Sequence, residues 1–233
     1  MGWKAHSLAL DVAMHFGTLC AVVVYFRQDV LRIVQGSFKL LRGQVDEDAR
    51  LALCLGIATL PALLAGFLVS KLTGDGIRNL ALMGGTSILF GALLYGADQR
   101  GSDHRTVKDM GYLQAFAIGL IQICAFIPGA SRSGSCLIAL RALGFKRTEA
   151  VRFSCLLSLP VILAATVLMG YKTYWASNIQ VYDEYALGII FSLFAGLLSV
   201  SFMMHWVEKA NFSIFVLYRL LFGAVLLKYA YFI

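Results

Sequence analysis

The feature that most constrains this chain is an apolar stretch, residues 111–142, interrupted at its centre by Pro128-Gly129-Ala130-Ser131-Arg132-Ser133-Gly134. Proline removes a backbone donor and glycine frees the chain from helical geometry, so one helix cannot run through. The flanking runs, residues 112–127 and 135–142, are apolar. Broken backbone inside a bilayer is tolerated only where it is packed in protein or lines a polar cavity. An arginine at membrane depth costs at least about 2.5–3.5 kcal/mol, which makes Arg132 a candidate functional residue by default. Hydroxyls and a guanidinium converging with no acid beside them suit an anion, and phosphate is the commonest anion of that shape.

The rest of the chain supplies the membrane setting. Of 233 residues, 59% are hydrophobic and 14% charged, against about 25% charged in a soluble domain. Six further apolar runs lie at about residues 7–26, 50–71, 77–97, 149–170, 185–204 and 213–232. Each approaches or exceeds the roughly 18–20 residues that cross a bilayer. The fold class is therefore all-α integral membrane, with six spanning helices. Between the third and fourth, residues 111–142 are expected to form a re-entrant helical hairpin, because each half is too short or too broken to cross. The net charge of +7 sits in loops between apolar runs, which is the pattern of topology-setting charge and not of a nucleic-acid surface. Cys20, Cys54, Cys124, Cys136 and Cys155 all lie in apolar runs without metal-ligand spacing, and read as small core residues. The first run lacks a small-residue cleavage site and reads as a spanning helix, not a signal peptide.

Loop charge orients the helices. With a hairpin at 111–142, thirteen lysines and arginines fall on one face and five on the other, Arg132 and Arg219 being intramembrane. With a single crossing the split becomes ten against eight. The positive-inside rule prefers the hairpin, placing loops 27–49, 98–110 and 143–148 in the cytoplasm and both termini outside. Two full crossings would give the same parity.

An internal repeat is also visible. Leu89-Phe90-Gly91-Ala92 recurs as Leu221-Phe222-Gly223-Ala224, an offset of 132 residues. Residues 1–233 thus read as one membrane domain of two repeats, 1–97 and 111–233. With three spanning helices per unit, the second must be inverted, an arrangement that recurs in membrane proteins handling polar ligands. The second unit opens with the hairpin; the first unit's counterpart would fall almost wholly before Met1. The repeat therefore predicts a chain short by about one hairpin at its N-terminus.

Within the motif, the guanidinium of Arg132 can grip two phosphate oxygens at once and stays charged at physiological pH. Ser131 and Ser133 flank it as hydroxyl donors or as helix caps. Backbone N–H groups near Gly134 can form an anion nest at the restarting helix. Gly129 and Gly134 permit conformations or close approaches that a side chain would block, and Ala130 completes the candidate binding loop. Gln122 on the preceding half-helix either faces the same cavity or makes an ordinary interhelix hydrogen bond. Arg219 reads as a structural arginine that snorkels or pairs with Glu208, or as a second phosphate contact. His15 reads as a packed or hydrogen-bonded helix histidine, with an approach to the cavity as the lesser alternative. The acids fall almost entirely in loops or at helix ends, so no metal-ligand set is identifiable in this chain, although phosphoryl transfer usually employs a carboxylate.

The stretch from Gln122 through Pro128-Gly-Ala-Ser-Arg-Ser-Gly134, followed by Arg152-Phe-Ser-Cys-Leu-Leu-Ser-Leu-Pro160, resembles the undecaprenyl-diphosphate phosphatase family, the BacA/UppP family of bacitracin resistance. Supporting stretches run from His15 to Arg27 and from Tyr218-Arg219 to Gly223, so the resemblance covers essentially the whole chain. It implies a multi-pass protein of the bacterial inner membrane that removes the terminal phosphate from a C55 isoprenoid diphosphate, recycling the lipid carrier of cell-wall synthesis. It implies a divalent metal, Mg2+ or Ca2+, and a polyprenyl diphosphate as partner; a homodimer is possible. By motif match Arg132 becomes the diphosphate-binding arginine, with Ser131 and Ser133 beside it as catalytic candidates and Pro128, Gly129 and Gly134 as loop scaffold. Family members begin with a hairpin bearing Glu-x-x-x-Glu and Pro-x-Ser-Ser-x-Gly-His. Neither occurs here, and the gap coincides with the one the repeat predicts. A chain lacking those acids is expected to be impaired in turnover. The competing reading from fold alone is a polyprenyl-phosphate flippase or transporter, since inverted repeats and a midplane hairpin fit it equally.

Overall fold

A computed structural model describes residues 8–72, 79–176 and 183–232, and everything structural below concerns these. The helices are α1 (Leu8–Tyr25), α2 (Arg27–Leu41), α3 (Glu47–Leu72), α4 (Leu80–Arg100), α5 (Tyr112–Gln122), α6 (Arg132–Ala142), α7 (Arg147–Ala176), α8 (Asp183–Lys209) and α9 (Ser213–Phe232), with short 3-10 turns at Val107–Asp109 and Ile123–Phe126. Five of them, α3, α4, α7, α8 and α9, are long and apolar enough to cross a bilayer. The chain is an all-helical integral membrane protein. Its outer surface carries large apolar side chains such as Phe191, Phe194 and Leu198, as a lipid-facing surface must.

The first expected span ends in a sharp bend. After Tyr25 the helix axis turns by 90° into α2, a segment that the sequence reading leaves as loop. Leu31, Val34, Phe38 and Leu41 recur at helical spacing and form an exposed apolar stripe. The other face is anchored to the start of α3. Arg32 Nε donates to Asp48 at 2.7 Å, and Lys39 Nζ to Asp46 at 2.5 Å. Gly36 lies so close that an added Cβ would fall 2.2 Å from the Asp48 carbonyl oxygen. An amphipathic helix that is apolar on one face alone escapes a search for twenty-residue apolar runs.

Residues 111–142 leave and return to one place. The Arg105 backbone N–H donates to the Gly144 carbonyl at 3.2 Å, and Lys146 N–H donates to the Arg105 carbonyl at 2.9 Å. Between these points α5 and α6, of 11 residues each, pack on one another. Each reaches roughly 16 Å at 1.5 Å per residue, about half a hydrocarbon core.

Lipid offers apolar side chains no penalty comparable to water, so helices here associate through close packing and hydrogen bonds. A Cβ at Gly119 of α5 would lie 2.5 Å from the Ala58 carbonyl oxygen of α3, and one at Gly84 of α4 2.8 Å from the Gly223 carbonyl oxygen of α9. Gly84 facing Gly223 and Gly91 facing Val216 make α4 and α9 antiparallel. The buried core gathers Cys136, Leu137, Leu140, Phe145, Phe153, Leu156 and Leu157 around the root of α6.

That root is held by charge. Arg141 is fully buried, with Nε donating to Asp98 at 2.8 Å, Nη1 to Asp103 at 2.7 Å and to the Phe145 carbonyl at 2.5 Å, and Nη2 to the carbonyls of Asp98 and Gly101. Asp98 also accepts from Arg147 Nε at 2.8 Å and from the Phe212 N–H at 3.2 Å. One buried carboxylate thereby joins the ends of α4, α6, α7 and α9. In the adjoining 3-10 turn, Asp109 accepts from the N–H and hydroxyl of Thr106 at 2.8 Å each. The backbone N–H first, then the hydroxyl, hold its carboxyl below the usual carboxylate range.

Candidate functional site

The break between α5 and α6 is a type II turn. Ile127 accepts from the Ala130 N–H at 3.1 Å, Pro128 occupies the second position, and Gly129 has φ +90° at the third. A side chain at Gly129 is barred twice, since its Cβ would fall 2.3 Å from both the Met83 carbonyl oxygen and Thr86 Oγ1. Two neighbours seize the turn's carbonyls. Thr86 Oγ1 of α4 donates to Pro128 at 2.5 Å, and Arg219 Nη2 of α9 donates to Gly129 at 2.8 Å and Ala130 at 2.9 Å. The residue most distant in sequence, Arg219, is therefore a clamp on the loop. No ion pair joins it to Glu208 among the described residues.

Ser131 carries the strain. Its φ of +68° is unusual for a residue with a side chain, and such conformations cost about 1–3 kcal/mol and gather at functional sites. It also caps α6. Ser131 Oγ accepts from the Gly134 N–H at 3.3 Å, and its carbonyl accepts from the N–H and the hydroxyl of Ser135 at 3.0 Å each. Ser131 Oγ and Ser133 Oγ stand 3.4 Å apart, and both residues are exposed. Capping and anion binding are compatible, since the cap leaves the hydroxyls on the open side. Gly134 is buried, and a Cβ there would lie 3.1 Å from Arg219 Nη1, so glycine lets the clamp approach.

Arg132 opens α6. Its side chain is partly buried, and its Nη1 is enclosed without a hydrogen-bond partner among the described residues. Gln122, on the other arm, is buried; its Oε1 accepts from Cys136 Sγ at 3.2 Å, while its Nε2 has no partner among the described residues. Gln122 thus makes the interhelix bond and still has a donor to give. Buried polar atoms are nearly always paired, and an unpaired one costs about 1–3 kcal/mol. Two orphaned donors on facing arms of one hairpin, beside the N-terminal N–H groups of an 11-residue helix, form a site short of an acceptor. Ala130 contributes less than expected to that site: its N–H closes the turn and its carbonyl serves Arg219.

A divalent ion needs a cluster of oxygen or nitrogen ligands. Among the described residues no three of His, Cys, Asp and Glu come together in such a cluster. The buried carboxylates Asp98 and Asp29 are engaged by Arg141 and Arg147 and by Arg152. The described residues alone do not supply a ligand set for a metal ion. His15 is exposed, with Nδ1 2.7 Å from the Asp11 carbonyl, on a helix packed against α7 and α8 and not against the hairpin.

Thr86 and the clamp role of Arg219 are not evident from the sequence. Thr86 follows Gly84-Gly85 in an apolar run, and a polar residue beside small ones is the available signal of a close interhelix contact.

Residues 1–225 match the family model described as Bacitracin resistance protein BacA. A protein of Saccharophagus degradans named undecaprenyl-diphosphatase is 38% identical over 231 residues, which cover 99% of this chain and 87% of that one. Proteins of the same name from Roseobacter denitrificans and Dinoroseobacter shibae are 40% and 41% identical over 233 residues, again 99% of this chain and 87% of each relative. The motif Pro128–Gly134 and the match along nearly the whole chain agree, and the chain belongs to the BacA bacitracin resistance family.

Proposed function

We propose that this protein hydrolyses undecaprenyl diphosphate to undecaprenyl phosphate and inorganic phosphate, as the name of its relatives states for them. The observation that carries the reading is the enclosed, unpartnered Nη1 of Arg132 at the start of α6. The terminal phosphoryl group lies across the N-terminus of α6, where Arg132 grips its oxygens and the exposed hydroxyls of Ser131 and Ser133 donate to them. Charge spread over the equatorial oxygens as the bridging P–O bond breaks is what such a preorganised set of donors stabilises. Water adds to the terminal phosphorus as the bridging P–O bond breaks, the lipid monophosphate departs with the bonding electrons, and the proton shed by the water passes to a phosphate oxygen. Gly129, Ala130 and Gly134 shape the loop, Arg219 and Thr86 hold it, and Gln122 offers its free Nε2 to the substrate. The name shared by the relatives lends the flippase reading no support.

The finer architecture belongs to the same proposal. Residues 111–142 form a re-entrant hairpin, supported by the backbone bridge at its base. The two repeats are related by inversion. If residue i in one corresponds to i + 132 in the other, the contact of Gly91 with Val216 maps onto that of Gly223 with Gly84, as a two-fold relation requires. Ser87 Oγ donates at 3.1 Å to Arg219, its own counterpart 132 positions on. With the basic rim in the cytoplasm, the protein sits in the bacterial inner membrane, as a monomer or a homodimer.

The test is phosphate release from a polyprenyl diphosphate by purified protein beside Arg132→Ala. Turnover in the wild type that falls by about 10²–10³ in the variant supports the assignment; equal turnover defeats it. The divalent ion implied by the family resemblance is a further proposal. Chelation with EDTA, which abolishes turnover until Mg2+ or Ca2+ is restored, is the expected result; unchanged turnover refutes it.

A further inference from the structure

We propose that the basic rim of the protein holds one anionic phospholipid, its phosphate in a cleft between α2, α3 and α7 and one acyl chain in the groove that continues from it. The cleft, of about 130 Å3, is lined by four cations, Arg32, Arg50, Lys108 and Arg152, and two carboxylates, Glu47 and Glu149. Three of the cations have acidic partners. Arg32 pairs with Asp48, Lys108 with Glu47 at 2.9 Å, and Arg152 with Asp29 and Glu149. Arg50 differs: its Nε and Nη2 donate to the neutral Met110 carbonyl at 3.2 and 2.9 Å, and no carboxylate lies within ion-pair distance of it among the described residues. Arg50, exposed at the wall of the cleft with only a carbonyl to hold, has donors left to give an anion.

The second observation is the groove. It adjoins the cleft at Leu156, which lines both, and lies between α3 and α7, bounded by Leu55, Gly56, Leu63 and Pro160, with a volume of about 330 Å3. From Ala52 to Leu63 on α3 it extends roughly 16 Å at 1.5 Å per residue, close to one leaflet of a hydrocarbon core of about 30 Å. Its one hydroxyl, Thr59 Oγ1, is spent on the Leu55 carbonyl at 2.6 Å. A charged cleft beside an apolar groove of leaflet length, the two meeting at Leu156, fits an amphiphile with an anionic head. The length suits a phospholipid chain and falls far short of a C55 isoprenoid.

The third observation is α2. It leaves α1 at 90° with Leu31, Val34, Phe38 and Leu41 exposed, the form of a helix lying in the plane of the interface with its apolar stripe in the acyl layer. Ile33, on its inner face, lines the groove, and Arg32 lines the cleft. The site is therefore at headgroup depth, where basic pockets between membrane helices collect anionic lipid heads. It lies apart from the α5–α6 turn, and the inference does not depend on the hydrolase reading.

Native mass spectrometry of the full chain in detergent tests it, with dioleoyl phosphatidylglycerol, dioleoyl phosphatidylcholine and inorganic phosphate as probes. One phosphatidylglycerol is expected to stay bound, at least about tenfold more tightly than phosphatidylcholine, with millimolar phosphate unable to displace it. Arg50→Gln should weaken retention about tenfold. Gly56→Phe should do the same by filling the groove, and nothing lies within 4 Å of a Cβ at Gly56 to make that variant misfold. Arg132→Ala should leave retention unchanged, which separates this inference from the catalytic one. Equal retention of both lipids, displacement by inorganic phosphate, or wild-type retention in Gly56→Phe would each overturn it.

Discussion

Two arginines nine residues apart on one helix illustrate opposite uses of buried charge. Arg141, at the C-terminal end of α6, donates from all three nitrogens to Asp98, Asp103 and three carbonyls. Arg132, at the N-terminal end, has an enclosed Nη1 with no acceptor among the described residues. The first is satisfied by the fold and serves it. The second is held by the fold with a donor unspent, and in the proposed function a phosphoryl group supplies its acceptor. A buried arginine is thus not informative by itself; what its donors meet distinguishes Arg141, wholly spent, from Arg132, and Arg219 stands between them, with Nη2 on two carbonyls and Nε without a partner among the described residues.

The sharpest way to break this contrast is to remove each in turn. Arg141→Ala takes from buried Asp98 one of its two guanidinium partners and from three carbonyls their donor, leaving Arg147 alone to hold the carboxylate, and should cost about 3–5 kcal/mol. It should be read as a large drop in the detergent melting temperature, with activity lost in proportion to folded protein. If Arg141→Ala melts like wild type, the contrast is wrong. Arg132→Lys should act the other way: turnover falls far below wild type because an ammonium cannot reproduce the planar fork, while the melting temperature holds or rises. A melting temperature that falls with Arg132→Lys as steeply as with Arg141→Ala would make both arginines structural.

A smaller effect sharpens the role of the strained cap. Ser131→Gly should relieve backbone strain of about 1–3 kcal/mol and forfeit only a few tenths of cap energy, so the protein should be as stable or more so. Turnover should nevertheless fall, since the hydroxyl beside Ser133 is gone. Unchanged turnover would leave Ser131 as a cap alone. The smallest effect concerns pH at the hairpin base. The carboxyl of Asp109 titrates below its ordinary value, chiefly through the Thr106 N–H. Its stabilisation is therefore complete above the unfolded value, near about 3.9, and is lost as pH falls through the folded one. Melting temperatures should be flat from neutral pH to about 4 and decline below, and Asp109→Asn should remove the part of that decline owed to Asp109.

Much of the break between α5 and α6 was legible along the chain because its geometry is local. Pro128 and Gly129 occupy the second and third positions of a type II turn, Ser131 precedes the restarting helix, and Arg132 sits at its first turn. Each follows from residue type within seven positions. The clamp on that turn was not legible. Thr86 and Arg219 stand 42 and about 90 residues from the carbonyls they hold; which carbonyl a side chain reaches across such a gap is settled only when α4 and α9 are packed beside the hairpin. The position of Arg141 misled for a related reason. It stands at the edge of an apolar run, where topology arithmetic counts it as a loop charge, yet Asp98 from 43 residues away draws it fully inside. The helix α2 escaped notice because its apolar residues cover one face only.

By itself the sequence determined that this is a helical membrane protein with an arginine-bearing break between two short apolar helices, because chain length set against bilayer thickness and the conformations of proline and glycine are properties of short segments. Only the tertiary structure decided which arginine is spent and which is free, and that the arms of the break return to a common base. Those outcomes depend on pairings between helices far apart in the chain, and no local propensity encodes which donor will meet which acceptor.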